Sequence, residues 1–283
     1  MLFRSDWFSG SGDLPRRIAN AHTLFNVFTT LLLVPFIPLL ARVCEKLIPI
    51  KAEKIRYQRL EPHLLDTPAI ALDQTTGMLR RMLKKAWKMV ECALNTRNHT
   101  ADAGLLRRLN AREEHVDELQ HEITDYLAQL IRRPLSPTQA ERIPQLLHCT
   151  NDAERIGDHT AVILDLIAKF SEAKGELSKA AEEELDTLQA ALCRQAECAL
   201  ALLERITPDN VRSAAALQKE IPAMIEKYEK NHLKRLNRNQ CSPVTGVFYI
   251  ELLAEIDKVS RHLGNITERS GAAFDPPPSG DAT

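Results

Sequence analysis

Residues 24–41 carry no charged side chain over eighteen positions. As an α-helix this segment is about 27 Å long, which is close to the thickness of the hydrocarbon core of a bilayer. Pro35 and Pro38 lie within it and predict a kink, which membrane helices tolerate when neighbouring helices satisfy the exposed backbone groups. The segment therefore predicts one membrane span near the N-terminus.

A signal peptide, a soluble core helix and an interfacial helix fit this apolar segment less well. A secretory signal peptide begins earlier, is shorter, and is followed by a small-x-small cleavage site, which is missing here. The residues before Cys44 match a lipoprotein cleavage box poorly. A soluble core helix would be apolar on one side only, and an interfacial helix would carry a charged face.

Basic residues around the segment predict its orientation. Those before it are Arg4, Arg16 and Arg17, and those after it are Arg42, Lys46, Lys51, Lys54, Arg56 and Arg59. Because Lys and Arg accumulate on the cytoplasmic side, we expect a cell (inner) membrane protein whose C-terminal part is cytoplasmic. His22, Asn26 and Thr30 are expected to pack within the membrane region or to face neighbouring spans.

Composition favours helices and excludes some functions. The chain has 37 Lys and Arg against 38 Asp and Glu, so no basic excess supports nucleic-acid binding. Aromatic residues make up 5% and there are only 10 glycines, which argues against a sheet-rich fold. The six cysteines form no CxxC pair, so we expect reduced and mostly buried thiols rather than a zinc site or a disulfide framework.

Six helices and no strand are predicted after a proline-containing linker, at residues 73–96, 102–132, 136–171, 176–206, 208–239 and 242–270. The predicted fold class is all-α, with one N-terminal transmembrane helix followed by two tandem antiparallel three-helix bundles. The predicted segments are 1–48 (membrane), 49–72 (linker), 73–171 (first unit), 176–270 (second unit) and 271–283 (disordered tail). One irregular helical bundle is the alternative.

Apolar stripes and capping residues support these helices. The second predicted helix has a stripe made of Val116, Leu119, Ile123, Tyr126, Leu127 and Leu130. The third has a stripe made of Leu146, Thr150, Ala153, Gly157, Thr160, Leu164 and Ile167. Ser136, Thr207 and Ser242 each precede a proline, which is typical of an N-cap followed by the first helical turn.

The third predicted helix also carries an acidic row. Asn151, Glu154, Asp158 and Asp165 lie within a narrow sector away from the apolar stripe. Such oxygen ligands suit a hard or borderline cation if the second helix adds Glu114, Asp117 and Glu118. On spacing alone a solvated acidic face is the simpler interpretation. His159 is expected at the surface, and no nucleophile–base pair or phosphate loop indicates an enzyme.

Glu154 to His159 read ERIGDH, which resembles the signature of the PhoU family. Residues 116–123 and 242–266 resemble the second and last helices of that family. Residues 19–26 are similar to the end of the membrane region in bacterial sodium/phosphate cotransporters of the type II class, in which a PhoU-like domain follows the transporter. The chain thus resembles the C-terminal part of such a cotransporter.

This resemblance implies two three-helix units, each with an ExxxD metal motif. It makes Glu154 and Asp158 the metal candidates, with Asn151, Glu114 and Asp117 as weaker ones, for a divalent or trivalent ion. In the second unit Arg261 replaces the motif's acid, so an Asp257–Arg261 ion pair is expected, and Pro222 stands where the family tends to carry an acid. We therefore expect metal in the first unit only.

The resemblance implies a membrane-tethered regulator of sodium-dependent inorganic phosphate transport. A second interpretation is the C-terminal chain of a split or truncated symporter that moves sodium and phosphate itself. A third is a structural scaffold in a membrane complex. The implied partners are the membrane, other transporter spans or a phosphate transport or signalling protein, and the resemblance leaves a homodimer open.

Overall fold

The computed structural model describes residues 14–36, 59–97 and 103–274. These residues contain no strand, and the prediction of an all-α fold is confirmed. The helices are α1 (Leu14–Leu33), α2 (Pro68–Asn95), α3 (Ala103–Leu130), α4 (Pro137–Glu172), α5 (Lys179–Glu204), α6 (Pro208–Asn237) and α7 (Pro243–Phe274). Short 3-10 helices cover Val34–Phe36 and Pro62–Asp66.

Contacts divide the chain into two units, Met1–Ile55 and Arg56–Thr283. Within the first unit, α1 begins ten residues before the predicted segment, and residues 37–41 of that segment lie outside the described residues. Ile18–Phe36 is long and apolar enough, by length and composition, to cross a membrane. Its large apolar side chains are exposed, with Phe25 and Phe28 each 65% accessible.

Three threonine side chains of α1 form hydrogen bonds within the helix itself. The hydroxyls of Thr23, Thr29 and Thr30 each donate to the backbone carbonyl four residues earlier, at 2.7–2.9 Å. A hydroxyl bonded in this way exposes less unpaired polar surface. Placing these three threonines in apolar surroundings therefore costs less free energy than placing unpaired hydroxyls there.

The second unit contains two groups of three helices. In the first group α3 and α4 pack against α2 and against each other, and in the second group α5, α6 and α7 pack together. The groups meet along α4 and α7 and along α2 and α5, and one continuous apolar core runs through both. Helix α4 therefore contacts α2 and α3 of its own group and α7 of the second group.

Both predicted apolar stripes are confirmed. Every residue of the α3 stripe and of the α4 stripe is buried. Gly157 lies where α3 and α4 approach, because a Cβ there would stand 3.6 Å from the Val116 side chain. These stripes orient the opposite, polar faces of both helices toward solvent.

The predicted N-caps are also confirmed. The Ser136, Thr207 and Ser242 hydroxyls accept hydrogen bonds from backbone N–H groups three residues later, at 3.2–3.3 Å. Two predicted helix starts are wrong. Helix α2 begins at Pro68 rather than at residue 73, because proline suits the first turn, and α5 begins after Ser178, whose hydroxyl caps it.

The C-terminal end and the cysteines depart from expectation as well. Helix α7 continues to Phe274, four residues past its predicted end, and the predicted disorder of residues 275–283 lies outside the described residues. The five described cysteines are all free thiols, but only Cys149 is buried and the other four are half-buried. The expectation of mostly buried thiols is therefore wrong, and Cys44 lies outside the described residues.

A half-buried carboxylate organises the second group. Glu184 accepts hydrogen bonds from Asn231, Arg235 and Tyr249 at 2.6–2.8 Å, which joins α5 to α6 and α7. Burial alone would raise the pKa of Glu184, but these three donors hold it below its ordinary value. The second group therefore keeps its charged centre ionised by direct hydrogen bonding.

Replacing Ser136 by alanine should weaken the start of α4. The hydroxyl satisfies the Gln139 N–H within a reciprocal capping box, and losing such a cap costs about 1 kcal/mol. Chemical denaturation should show a matching fall in the free energy of unfolding. The control is Ser213→Ala at an exposed position within α6, which should leave stability unchanged or slightly higher. Equal stability of Ser136→Ala and wild type would contradict the capping role.

Candidate functional site

The sequence-predicted ligands lie on the polar faces of α3 and α4. Asn151 and Asp158 on α4 are exposed, and Glu154 between them is half-buried. Glu114 and Asp117 on α3 are both exposed. Because α3 packs against α4, the two polar faces lie side by side.

Four carboxylates from these faces act on one another. Burial raises the pKa of Glu154, and the neighbouring charges of Asp158 and Asp117 raise it further, while Arg155 lowers it. Burial also raises the pKa of Glu113, and the negative charges of Asp117, Asp158 and Glu114 raise it further. Glu113, Asp117, Glu154 and Asp158 are called the acidic cluster below. Their repulsion costs free energy that a cation would offset.

The acidic cluster differs from the predicted set at three positions. Glu113 belongs to the cluster in place of Glu114. The charge of Glu114 makes the smallest contribution among the three charges that raise the pKa of Glu113. Asn151 instead lies beside Gln120, whose side-chain amide donates to its oxygen at 3.5 Å. The sequence contained the missing signal, because Glu113 and Asp117 are four residues apart, as Glu154 and Asp158 are.

The acidic cluster has suitable chemistry for a hard cation but does not form a coordination sphere in this conformation. All of its donors are carboxylate oxygens. Among the described residues, however, no group of three or more His, Cys, Asp or Glu side chains lies close enough to hold one ion. The metal role of Glu154, Asp158, Asn151, Glu114 and Asp117 therefore stays a prediction.

The corresponding stretch of the second group of helices has the expected ion pair. Arg261 and Asp257 lie 3.2 Å apart on α7. Pro222 lies inside α6, where it is exposed. A cation that occupied this place would compete with a guanidinium that already neutralises the carboxylate.

His159 is not a surface histidine, so that prediction is wrong. Its Nδ1 lies 2.8 Å from a carboxylate oxygen of Glu255 on α7, and its side chain is only 18% exposed. Its ring stacks on His262 with centroids 5.4 Å apart. Burial lowers the pKa of His159, although the hydrogen bond to Glu255 opposes the shift. The reason for the error is that α7 covers the side of α4 opposite the acidic row.

Asp152 joins the two groups of helices through several polar contacts with α7. It is 7% exposed and accepts hydrogen bonds from His262 Nδ1 at 2.7 Å, from Asn265 at 3.1 Å and from the Arg269 guanidinium. Burial raises the pKa of Asp152, but these α7 donors outweigh it and hold the pKa below its ordinary value. Sequence reasoning missed Asp152, because a charged residue between two acidic-row positions is typical of a solvated face.

Replacing Asp152 by alanine should weaken the contact between the two groups of helices and so destabilise the fold. It would leave the Arg269 and His262 donors without their acceptor in a mostly buried position, at a cost of about 3 kcal/mol. The free energy of unfolding from urea denaturation should fall accordingly. Asp165→Ala on the same helix is the control, because Asp165 is exposed and its pairing with Lys169 contributes little. Equal losses in the two variants would exclude a special role for Asp152.

Replacing Glu154 by glutamine should stabilise the metal-free protein by about 0.3 kcal/mol at neutral pH, because one repelling charge is removed. The pKa of Glu154 is raised in the folded state above 4.5. The folded chain therefore gains protons that the unfolded chain lacks, and the repulsion disappears as pH falls through the raised pKa. Thermal unfolding at several pH values should show the advantage of the variant shrinking on acidification. A variant less stable than wild type at pH 7 would contradict mutual repulsion.

Comparison with known proteins agrees with this fold. Residues 79–167, which include the acidic cluster, match the family model described as PhoU domain. The chain superposes on PhoU from Pseudomonas aeruginosa with a TM-score of 0.59 at 16% identity, covering 75% of this chain and 97% of that one. The phosphate transport system regulatory protein PhoU from Streptococcus pneumoniae gives 0.55 at 18% identity, with 74% and 96% covered.

Relatives with curated names extend the similarity along the sequence. YjbB of Escherichia coli (strain K12), provisionally named an inorganic phosphate export protein, is 22% identical over 244 residues. YjbB of Salmonella typhimurium (strain LT2) is 22% identical over 245 residues. These alignments cover 84% of this chain but 45% of each relative, so the chain spans less than half the length of the relatives. The chain therefore shares the helical fold of PhoU proteins, matches the PhoU domain model over residues 79–167, and is similar in sequence to proteins named for phosphate export.

Proposed function

We propose that this chain is a membrane-tethered PhoU-like regulatory domain associated with sodium-dependent inorganic phosphate transport. The observation that carries the proposal is the combination, in one chain, of a PhoU domain at residues 79–167 with an exposed apolar helix at Ile18–Phe36. The named relatives belong to phosphate export and to phosphate transport regulation. Catalysis is not part of the proposal.

The proposed anchor is α1. Its exposed apolar side chains include Leu24, Phe25, Val27 and Leu33, all at least 50% accessible. These four positions point in different directions around the helix rather than along one face, and burial in lipid would remove their apolar surface from water. The nineteen residues of Ile18–Phe36 would extend about 28 Å as a helix, enough for one span. The basic residues that follow favour a cytoplasmic PhoU domain.

The proposed regulatory site is the acidic cluster with one divalent or trivalent cation. The carboxylates of Asp117 and Asp158 are exposed, so their side chains can rotate toward an ion at little cost in packing. An ion there would offset the repulsion that raises the pKa of Glu113 and Glu154. Ion occupancy would thereby couple the packing of α3 against α4 to conditions in the cytoplasm, and a transporter or signalling partner would sense that change.

A second candidate function is direct transport. The chain aligns with 84% of its length to less than half of YjbB, as expected for one portion of a larger transporter. In that case other spans would supply the substrate path, since one helix cannot enclose it. Sodium and phosphate would be the transported ions, and the membrane partner would be those spans or a second copy of this chain.

Phosphate flux in the native host separates these candidates. Cells lacking the chain should take up or release labelled phosphate at an altered rate, and the wild-type chain should restore it. Glu154→Ala/Asp158→Ala should fail to restore regulation. Asp165→Ala/Glu172→Ala is the matched control, because it removes two exposed acidic residues of α4 outside the acidic cluster, and it should restore the rate.

The alternatives give different outcomes. Loss of all flux on deletion, with full restoration by Glu154→Ala/Asp158→Ala, would favour direct transport over regulation. An unchanged flux on deletion, in both sodium-containing and sodium-free medium, would contradict both and leave a structural scaffold. Sodium dependence is tested in the same assay by replacing sodium with an impermeant cation.

A further inference from the structure

Helix α2 presents a ridge of basic side chains to solvent. Between Asp73 and Glu91 this helix has no acidic residue but five basic ones. Four of these, Arg81, Lys84, Lys85 and Lys88, follow one another on the side of α2 away from its partner helices and are called the basic ridge. Lys84 and Lys88 are exposed, while Arg81 and Lys85 are half-buried.

The lysines of the basic ridge lie next to other basic side chains rather than in ion pairs, as far as the described residues go. The fifth basic residue of this stretch, Arg80, turns to α5 and pairs with Glu204 at 2.6 Å. Lys84, Lys85 and Lys88 form no ion pair with any carboxylate of the part of the chain that the structure describes. Burial lowers the pKa of Lys85, and the positive charges of Arg81 and of Arg112 on α3 lower it further. Positive charges therefore accumulate here while the acidic cluster lies on other helices.

We propose that the basic ridge binds the surface of an anionic phospholipid bilayer. This proposal rests on the proposed function, in which α1 is anchored in the membrane. About 30 residues separate Phe36 from Pro68, so the chain keeps α2 within roughly 100 Å of the bilayer. Such tethering raises the local concentration of lipid headgroups, and weak contacts become sufficient.

The shape and chemistry of the ridge fit this partner. It is a row of basic side chains along one helix, and a lipid surface offers many negative charges spread over a plane. Lysine ammonium groups act as mobile point charges on flexible stems, which suits headgroups that have no fixed geometry. The net charge of −1 gives the chain as a whole no general attraction to anions, so attraction to an anionic surface depends on local groups of basic residues such as this ridge.

Lysine acetylation of the full chain in vesicles tests the proposal. The chain is reconstituted in phosphatidylcholine vesicles, with or without roughly one third phosphatidylglycerol, and labelling is read by mass spectrometry. Because each basic residue at an anionic surface gains on the order of a fivefold preference, labelling at Lys84 and Lys88 should fall about fivefold with phosphatidylglycerol. Lys219 and Lys227, exposed on α6, should not change. High salt should abolish the protection.

A pair of variants keeps the test specific. Lys84→Gln/Lys88→Gln should lose the protection of Lys85, whereas Lys219→Gln/Lys227→Gln, with the same change in charge, should keep it. Equal labelling of the wild-type chain in the two kinds of vesicle would overturn the proposal. Equal protection of Lys85 in the two variants would also overturn it and would indicate a protein contact, such as an acidic partner or a second copy.

Failure of the anchor is distinguishable from failure of the ridge. Flotation with neutral vesicles reports on α1 alone. If the chain does not float with neutral vesicles, the anchor of the proposed function is excluded. Flotation with anionic vesicles then tests the basic ridge separately. Salt-sensitive flotation that Lys84→Gln/Lys88→Gln removes would support the ridge, and its absence would overturn it.

Discussion

The fold depends on one helix–helix contact, between α4 and α7, and on the carboxylate buried within it. Asp152 leaves water when the two groups of helices meet, and every side-chain donor that it receives comes from α7. A buried carboxylate without donors would be prohibitively costly, so the groups can meet only in a register that brings His262, Asn265 and Arg269 to it. The His159–Glu255 contact strengthens the same register a little further along.

That contact also explains why the acidic cluster is strained. With α4 held by α7 on one side and by α2 in the core, its outward face is presented to α3 in one orientation. Glu154 and Asp158 then lie near Glu113 and Asp117, and the carboxylates raise one another's pKa, while Arg155 opposes the shift at Glu154. The cluster is thus a half-exposed group of carboxylates on a rigid support, which is the arrangement that the proposed ion site requires.

Periodicity and capping chemistry predicted most of the fold. Buried stripes on α3 and α4 follow directly from three-and-four spacing, and Ser136 and Ser242 cap the helices that they were expected to begin. The predicted start of α2 is wrong because a proline is typical both of a linker and of a first helical turn, where it costs no hydrogen bond, and Pro68 takes the second role. Spacing within single helices cannot reveal which faces meet across the two groups, so Asp152 and His159 were missed. Glu113 was within reach of sequence reasoning, since it repeats the four-residue spacing of Glu154 and Asp158.

The most direct measurement is the metal content of the full chain, purified in detergent, stripped with chelator and then offered divalent and trivalent ions one at a time. If the acidic cluster is the regulatory site of this chain, as proposed, the wild-type chain retains an ion after desalting, and the Glu154→Ala/Asp158→Ala chain does not. Equal retention by both chains, or retention by neither, would show that the cluster is only a solvated face and would contradict the account.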